Sequence, residues 1–144
     1  MAITTSAVCN SFKTQILEGE HDFGVSTDVF KIAMYISTAT LGKSTTDYLT
    51  AGETSGTNYT AGGKKLAVAS QLVTLESDTA CVDFANVSWQ TATITARGAL
   101  IYNTSSSDKA VCVLDFGGDK TATAGTFTIQ FPNFTDTLAI LRIS

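Results

Sequence analysis

A lone histidine limits the acid–base chemistry open to this sequence of 144 residues. His21 stands between Glu20 and Asp22, and a neighbouring carboxylate could orient an imidazole as a general base. Adjacent residues on a turn point apart, however, and the G-x-S-x-G nucleophile motif is absent, so a solvated turn histidine is the expectation. A histidine-based Ser or Cys triad would have to use this residue alone. Asp115-Phe116-Gly117-Gly118-Asp119 brings two carboxylates together beside glycines, and hard cations prefer oxygen ligands. The stretch lacks the spaced Asp/Asn ladder of a calcium loop, and Asp and Gly are the usual tight-turn residues, so a hairpin turn is expected. Glu18, Glu20 and Asp22, or Asp78 and Asp83, could serve glycoside hydrolysis only if a cleft held a pair ~5 Å or ~7–9 Å apart. Proximity in sequence does not supply that separation. Solvated carboxylates are expected.

Gly52-Glu53-Thr54-Ser55-Gly56-Thr57 has the composition of a phosphate cradle but matches neither the P-loop nor the dinucleotide fingerprint, and no helical pattern follows it. It reads as a flexible loop. Trp89, the single tryptophan, reads as a core anchor before a carbohydrate-stacking platform. Lys64-Lys65 beside a glycine pair reads as an exposed strand edge. Tyr48 and Tyr59 lie in a long polar stretch where burial in the chain's own core is least assured. Aromatic residues are enriched at protein interfaces, which makes these two the candidates for contact with a partner subunit. No residue is assigned a catalytic, metal-binding or cofactor-binding role, and no cofactor is expected.

The elements that must carry these residues show two periods. Over residues 6–18, Val8, Phe12 and Ile16 recur at i, i+4 spacing, Ser6 suits an N-cap and Gly19 suits the position that ends a helix. From Val29 to Ile36 the period is two, with positions 30, 32, 34 and 36 turned inward and Lys31 outward, as in a half-buried strand. Residues 37–63 are rich in Thr, Ser and Gly and predict a long loop, with room for one short strand. Short strands are then predicted at Leu66–Ala69, Val73–Leu75, Thr79–Phe84, Ala92–Thr95, Ala99–Asn103, Ala110–Phe116, Thr126–Phe131 and Leu138–Ile143. Ser105-Ser106-Ser107-Asp108 and Gly117-Gly118-Asp119 are turn signals, and Pro132 stops the strand before it.

Hydrophobic residues make up 44% and charged residues 15%, against a usual charged share of about 25%. Thr and Ser replace the missing charge, and β-branched Thr fits a pleated surface. The pattern predicts one all-β domain over residues 1–144, a sandwich or barrel with one short N-terminal helix. At this length roughly 68–70% of the unfolded chain's surface can be buried, so no disulfide or metal staple is required. Cys9, Cys81 and Cys112 are odd in number and far apart, and the last two sit among apolar neighbours as small hydrophobes would. The formal charge of −4 and scattered basic residues argue against a nucleic-acid partner. No apolar run approaches the ~18 residues of a transmembrane helix, and no signal-peptide pattern opens the chain, so a non-membrane protein made in a reducing cytoplasm is expected.

Several long strings carry a resemblance. They are Ala7-Val8-Cys9-Asn10-Ser11-Phe12-Lys13, Tyr59-Thr60-Ala61-Gly62-Gly63-Lys64, the run from Trp89 through Ala96-Arg97-Gly98 to Tyr102-Asn103, Leu114-Asp115-Phe116-Gly117-Gly118-Asp119-Lys120, and Phe127-Thr128-Ile129-Gln130-Phe131-Pro132. In these, the chain resembles a family of small structural proteins encoded by tailed bacteriophages. The resemblance implies an antiparallel β-sandwich of jelly-roll type, incorporated in the virion. It further implies a capsid decoration, or cement, protein on the outer capsid surface, partnered by the major capsid protein and by itself as a homotrimer. A tail, neck or fibre-base protein is the alternative, and a glycan-binding or glycan-cleaving virion module is the second.

Overall fold

Turn residues that punctuate the sequence do not all break the chain in space. The computed structural model describes residues 3–24, 28–132 and 140–144. In chain order they form β1 (Ala7–Val8), α1 (Asn10–Leu17), β2 (Phe30–Tyr35), β3 (Lys64–Lys65), β4 (Val68–Glu76), β5 (Thr79–Phe84), β6 (Val87–Asn103), β7 (Lys109–Ile129) and β8 (Leu141–Ile143), with a 3-10 turn over Thr104–Ser106. Two antiparallel sheets result, ordered β1-β7-β6-β2-β3 and β4-β5-β8. The mainly-β class and the single helix near the N-terminus agree with the sequence.

The helix is shorter than predicted. Ala7 and Val8 pair with Val113 and Cys112 as a strand, which takes Val8 off the helical stripe. Ser6 is not the cap, because its hydroxyl accepts the Asp115 amide proton at 2.8 Å. Cys9 takes the N-cap position with no side-chain capping bond. At the other end Gly19 adopts φ +81° and donates to the Ile16 carbonyl, as a helix-ending glycine does.

Eight predicted short strands resolve into fewer, longer ones. Segments 92–95 and 99–103 both lie in β6, and segments 110–116 and 126–129 both lie in β7. The expected hairpin at 115–119 is instead a bulge inside β7: Phe116–Asp119 stand opposite Arg97 alone, between the pairs Gly98–Asp115 and Ala96–Lys120. Asp115 supplies the reason. Its Oδ1 accepts from the Gly117 amide and from Arg97 Nε, both at 2.9 Å, so the turn chemistry is satisfied without reversing the chain. Reversal occurs where the Ser105–Asp108 signal placed it, with Ser107 and Asp108 at positive φ. The predicted strand 138–143 is seen only as β8, since residues 138 and 139 lie outside the described residues.

β2 is buried on both faces, where one was expected. Ile32 and Met34 on one side and Ala33 and Tyr35 on the other are fully buried, while Ile36, expected inward, is 40% exposed. The second face is covered by the 37–63 loop. That loop also satisfies the edge of β2 that β6 leaves open: Ile36 N donates to Gly52 O, Thr54 N to Met34 O, and Met34 N to the Tyr59 hydroxyl. An open strand edge invites pairing with other chains, and here a Gly-rich segment closes it. On the first face Phe23 stacks on Phe30 at 4.4 Å between ring centres, with Phe12 and Phe84 around them. Phe84 and Leu141 of the small sheet share one hydrophobic cluster with the residues of the large one. Cys9, Cys81 and Cys112 are all buried free thiols, with burial raising the Cys9 thiol to about 11.

Candidate functional site

Tyr48 and Tyr59 meet at a residue that the sequence singled out only as part of a loop. Glu53 Oε2 accepts from the Tyr48 hydroxyl at 2.5 Å, and Oε1 accepts from the Tyr59 hydroxyl and the Gly62 amide, each at 2.7 Å. Tyr59 in turn accepts the Met34 amide proton of β2 at 2.9 Å. Tyr48 stacks on Tyr102 at 4.8 Å, and Tyr59 lies 6.0 Å from Trp89. Both tyrosines are half-buried and pack on the core, in the stretch where the sequence assured such packing least. Burial, then the bond to Glu53, raises both phenols well above the ordinary value of 10. A carboxylate holding three donors and two phenols that resist ionisation form a polar clasp.

Local sequence explains how the clasp closes. Gly56, at φ +153°, approaches the Thr93 carbonyl so closely that a Cβ would stand 2.1 Å from its oxygen. Thr54 donates to the Thr95 carbonyl, and Asn58 to the Thr91 carbonyl. The Gly52–Thr57 stretch is therefore bonded to β2 and β6 and does not form an open phosphate cradle. No signal in the sequence marked Glu53 as the hub. Its partners lie five, six and nine residues away, a spacing that belongs to no helix or strand period.

His21 corrects another expectation. It is 4% exposed, packed between Phe12 and Phe30. Asn103 donates from Nδ2 to His21 Nδ1 at 3.1 Å and to Asp28 Oδ2 at 2.7 Å, while its Oδ1 accepts from the Ser105 amide. With the amide so oriented, Nδ1 must be the acceptor and Nε2–H the donor to Gln15 Oε1 at 2.9 Å. Burial holds the imidazole below its usual 6.5, Asp28 and Glu20 opposing and Lys109 reinforcing that shift. Because the folded value is depressed, the unfolded chain binds the proton more readily. Stability is therefore complete above pH 6.5 and falls as pH drops from 6.5 towards the folded value. Unfolding free energies measured between about pH 7.5 and 5 should slope by at most about 1.4 kcal/mol per pH unit, and His21→Gln should flatten that slope. An imidazole resonance titrating at or above 6.5 would count against the buried neutral form.

The other candidates are dispersed. Glu20 pairs with Lys109 at 3.0 Å across a half-exposed contact. Asp115 is held below the ordinary carboxylate range by the Arg97 bond and the Gly117 amide. Burial raises Asp83. Trp89 is 1% exposed, with Tyr59, Phe127 and Lys64 around its ring, so it presents no open face for a sugar. Lys64 and Lys65 are exposed on edge strand β3, as predicted. Among the described residues no three His, Cys, Asp or Glu side chains gather as a metal site, and no helix is long and apolar enough to cross a membrane. Compared with protein-family models, curated proteins and solved structures, the chain matches none.

Proposed function

We propose that this chain is a non-enzymatic structural protein that acts through contact area, as a virion component of a tailed bacteriophage. One contrast carries the contact-area reading. Side chains of reactive type, Glu53, His21 and Asp115, are engaged by internal hydrogen bonds, while large aliphatic side chains, Leu17, Leu75 and Ile143, stand exposed to water. The virion assignment is supported by the resemblance of the strings named above. The finer architecture belongs to the same proposal: a single domain with its two sheets facing across the Phe12–Phe23–Phe30–Phe84 cluster as a jelly-roll-like sandwich.

In this reading the chain is a capsid decoration protein. Packaged DNA presses outward on a shell that yields at the seams between capsomers. A protein bound across a seam must detach before the seam opens. Each subunit would contribute ~800 Å² to a standard interface with the major capsid protein, and a homotrimer would multiply the attachment. Thr-rich, weakly charged surfaces form many modest hydrogen bonds without burying unpaired charge. The acidic balance suits an outer surface better than one against DNA. Quantifying the chain against the major capsid protein in purified particles tests this. Hundreds of copies are expected for cement, and a few to some dozens would assign the chain to the tail, neck or fibre base. None would end the virion assignment.

A further inference from the structure

One face of the small sheet is apolar where it is described, buried at Leu141 and exposed beyond it. Pairing aligns Val73 with Val82 and Leu141, and Leu75 with Ala80 and Ile143, so all six side chains share that face. Leu75 is 68% exposed, Ile143 65% and Val73 50%, and across a groove the end of α1 presents Leu17 at 87%. The groove holds about 540 Å³, and Phe12, Ile16, Phe23, Val82 and Leu141 are among its lining residues. None of these exposed positions is used by the Glu53 clasp or the His21 cluster.

We infer that this face binds a second copy of the chain, with Leu17 of one copy entering the groove of the other. Three observations favour a copy over an unrelated partner. The same patch carries both a protruding aliphatic side chain and a groove with room for it, which is what contact between identical subunits requires. The four exposed side chains offer roughly 450 Å² of apolar surface, over half of the ~800 Å² that each partner gives to a standard interface. Charge agrees as well. Among the described residues Lys13 is charged and lines the groove beside no carboxylate, and exposed Glu18 follows Leu17, so an inserting copy carries a carboxylate towards Lys13. The inference rests on the contact-area reading, and it can fail while that reading stands.

Sedimentation velocity of the full chain over rising concentration reads the contact directly. Wild type should pass from monomer to dimer or trimer, and either stoichiometry sustains the inference. Leu17→Asp and Leu75→Asp should each weaken association at least ~tenfold, with melting temperatures unchanged at concentrations where wild type is monomeric, because both side chains face water in the monomer. Leu49→Asp, exposed but remote from the groove lining, should have no effect. Hydrogen exchange of wild type gives an independent reading: amides of residues 14–17, 73–75 and 141–143 should gain protection with concentration. A wild type that stays monomeric, or an oligomer indifferent to both aspartates, overturns the inference. So does a monomer whose Leu17→Asp variant is lost from virions, since the occupant would then be another virion protein and the contact-area reading would survive.

Discussion

Gly63→Ala is expected to destabilise the fold by about 4 kcal/mol or more, a large part of a typical 5–15 kcal/mol total. A Cβ at this position would stand 1.8 Å from the Ile32 carbonyl oxygen, 2.6 Å from its carbon and 2.7 Å from Ala33 Cα. All three atoms belong to the backbone of β2, which is packed on both faces and paired with β6. The clash therefore cannot be relieved by turning a flexible side chain. Gly63 also has φ +74°, which costs an alanine about 1–2 kcal/mol by itself. Relief requires β3 to leave β2, taking with it the Lys31–Lys65 and Ile32–Lys64 pairs. Urea unfolding should show a lower midpoint. Gly118→Ala is the control: nothing lies within 4 Å of its Cβ and its φ is ordinary, so its effect should stay within about 1 kcal/mol. Equal midpoints for the two variants would refute the close approach of residue 63 to β2.

Glu53→Ala should cost about 3–5 kcal/mol, and Glu53→Gln about 1–2 kcal/mol. Alanine orphans three donors at once, the two phenols and the Gly62 amide. Each donor left half-buried without a partner costs about 1–3 kcal/mol, reduced where water can enter. Glutamine keeps one oxygen, which can still accept from Tyr59 and Gly62. Its amide N–H₂ would then face Tyr48, whose hydroxyl can turn to accept. What is lost is the charge assistance and one favourable donor. Tyr59→Phe should also destabilise, because Tyr59 accepts the Met34 amide proton as well as donating to Glu53. In a double-mutant cycle Glu53→Ala and Tyr59→Phe should be strongly non-additive. Additive losses would mean that the clasp is not a unit.

Both predictions concern a segment whose composition alone suggested flexibility. Thr, Ser and Gly over residues 37–63 show neither a helical nor a strand period, and the structure forms only isolated bridges there, at Asp47, Glu53 and Thr57. Composition carries no information about partners at long range, however. Gly56 and Gly63 are small so that the chain can approach β6 and β2, and in a linear reading they are indistinguishable from the unhindered Gly42 and Gly118. The same limit applies to His21. Its sequence neighbours are carboxylates, whereas its bonded partners are Gln15 and Asn103.

What the sequence determined by itself is what local physics controls. Alternation in 30–36 and 126–129 yields strands, the Ser105–Asp108 run yields a reversal with two residues at positive φ, and Gly19 ends the helix. Burial of Cys81 and Cys112 followed from their apolar neighbours, and that of Trp89 from the large apolar surface of its own side chain. Tertiary structure alone decided the rest, because those outcomes depend on competition between distant groups. Pairing with β7 drew residues 7 and 8 out of the helix. The Arg97–Asp115 bond and the continuous ladder to β6 converted a hairpin signal into a bulge. Only folding brought Tyr48, Glu53, Tyr59 and Gly62 within hydrogen-bond reach, since the geometry that joins them is set by β2, a strand outside their segment.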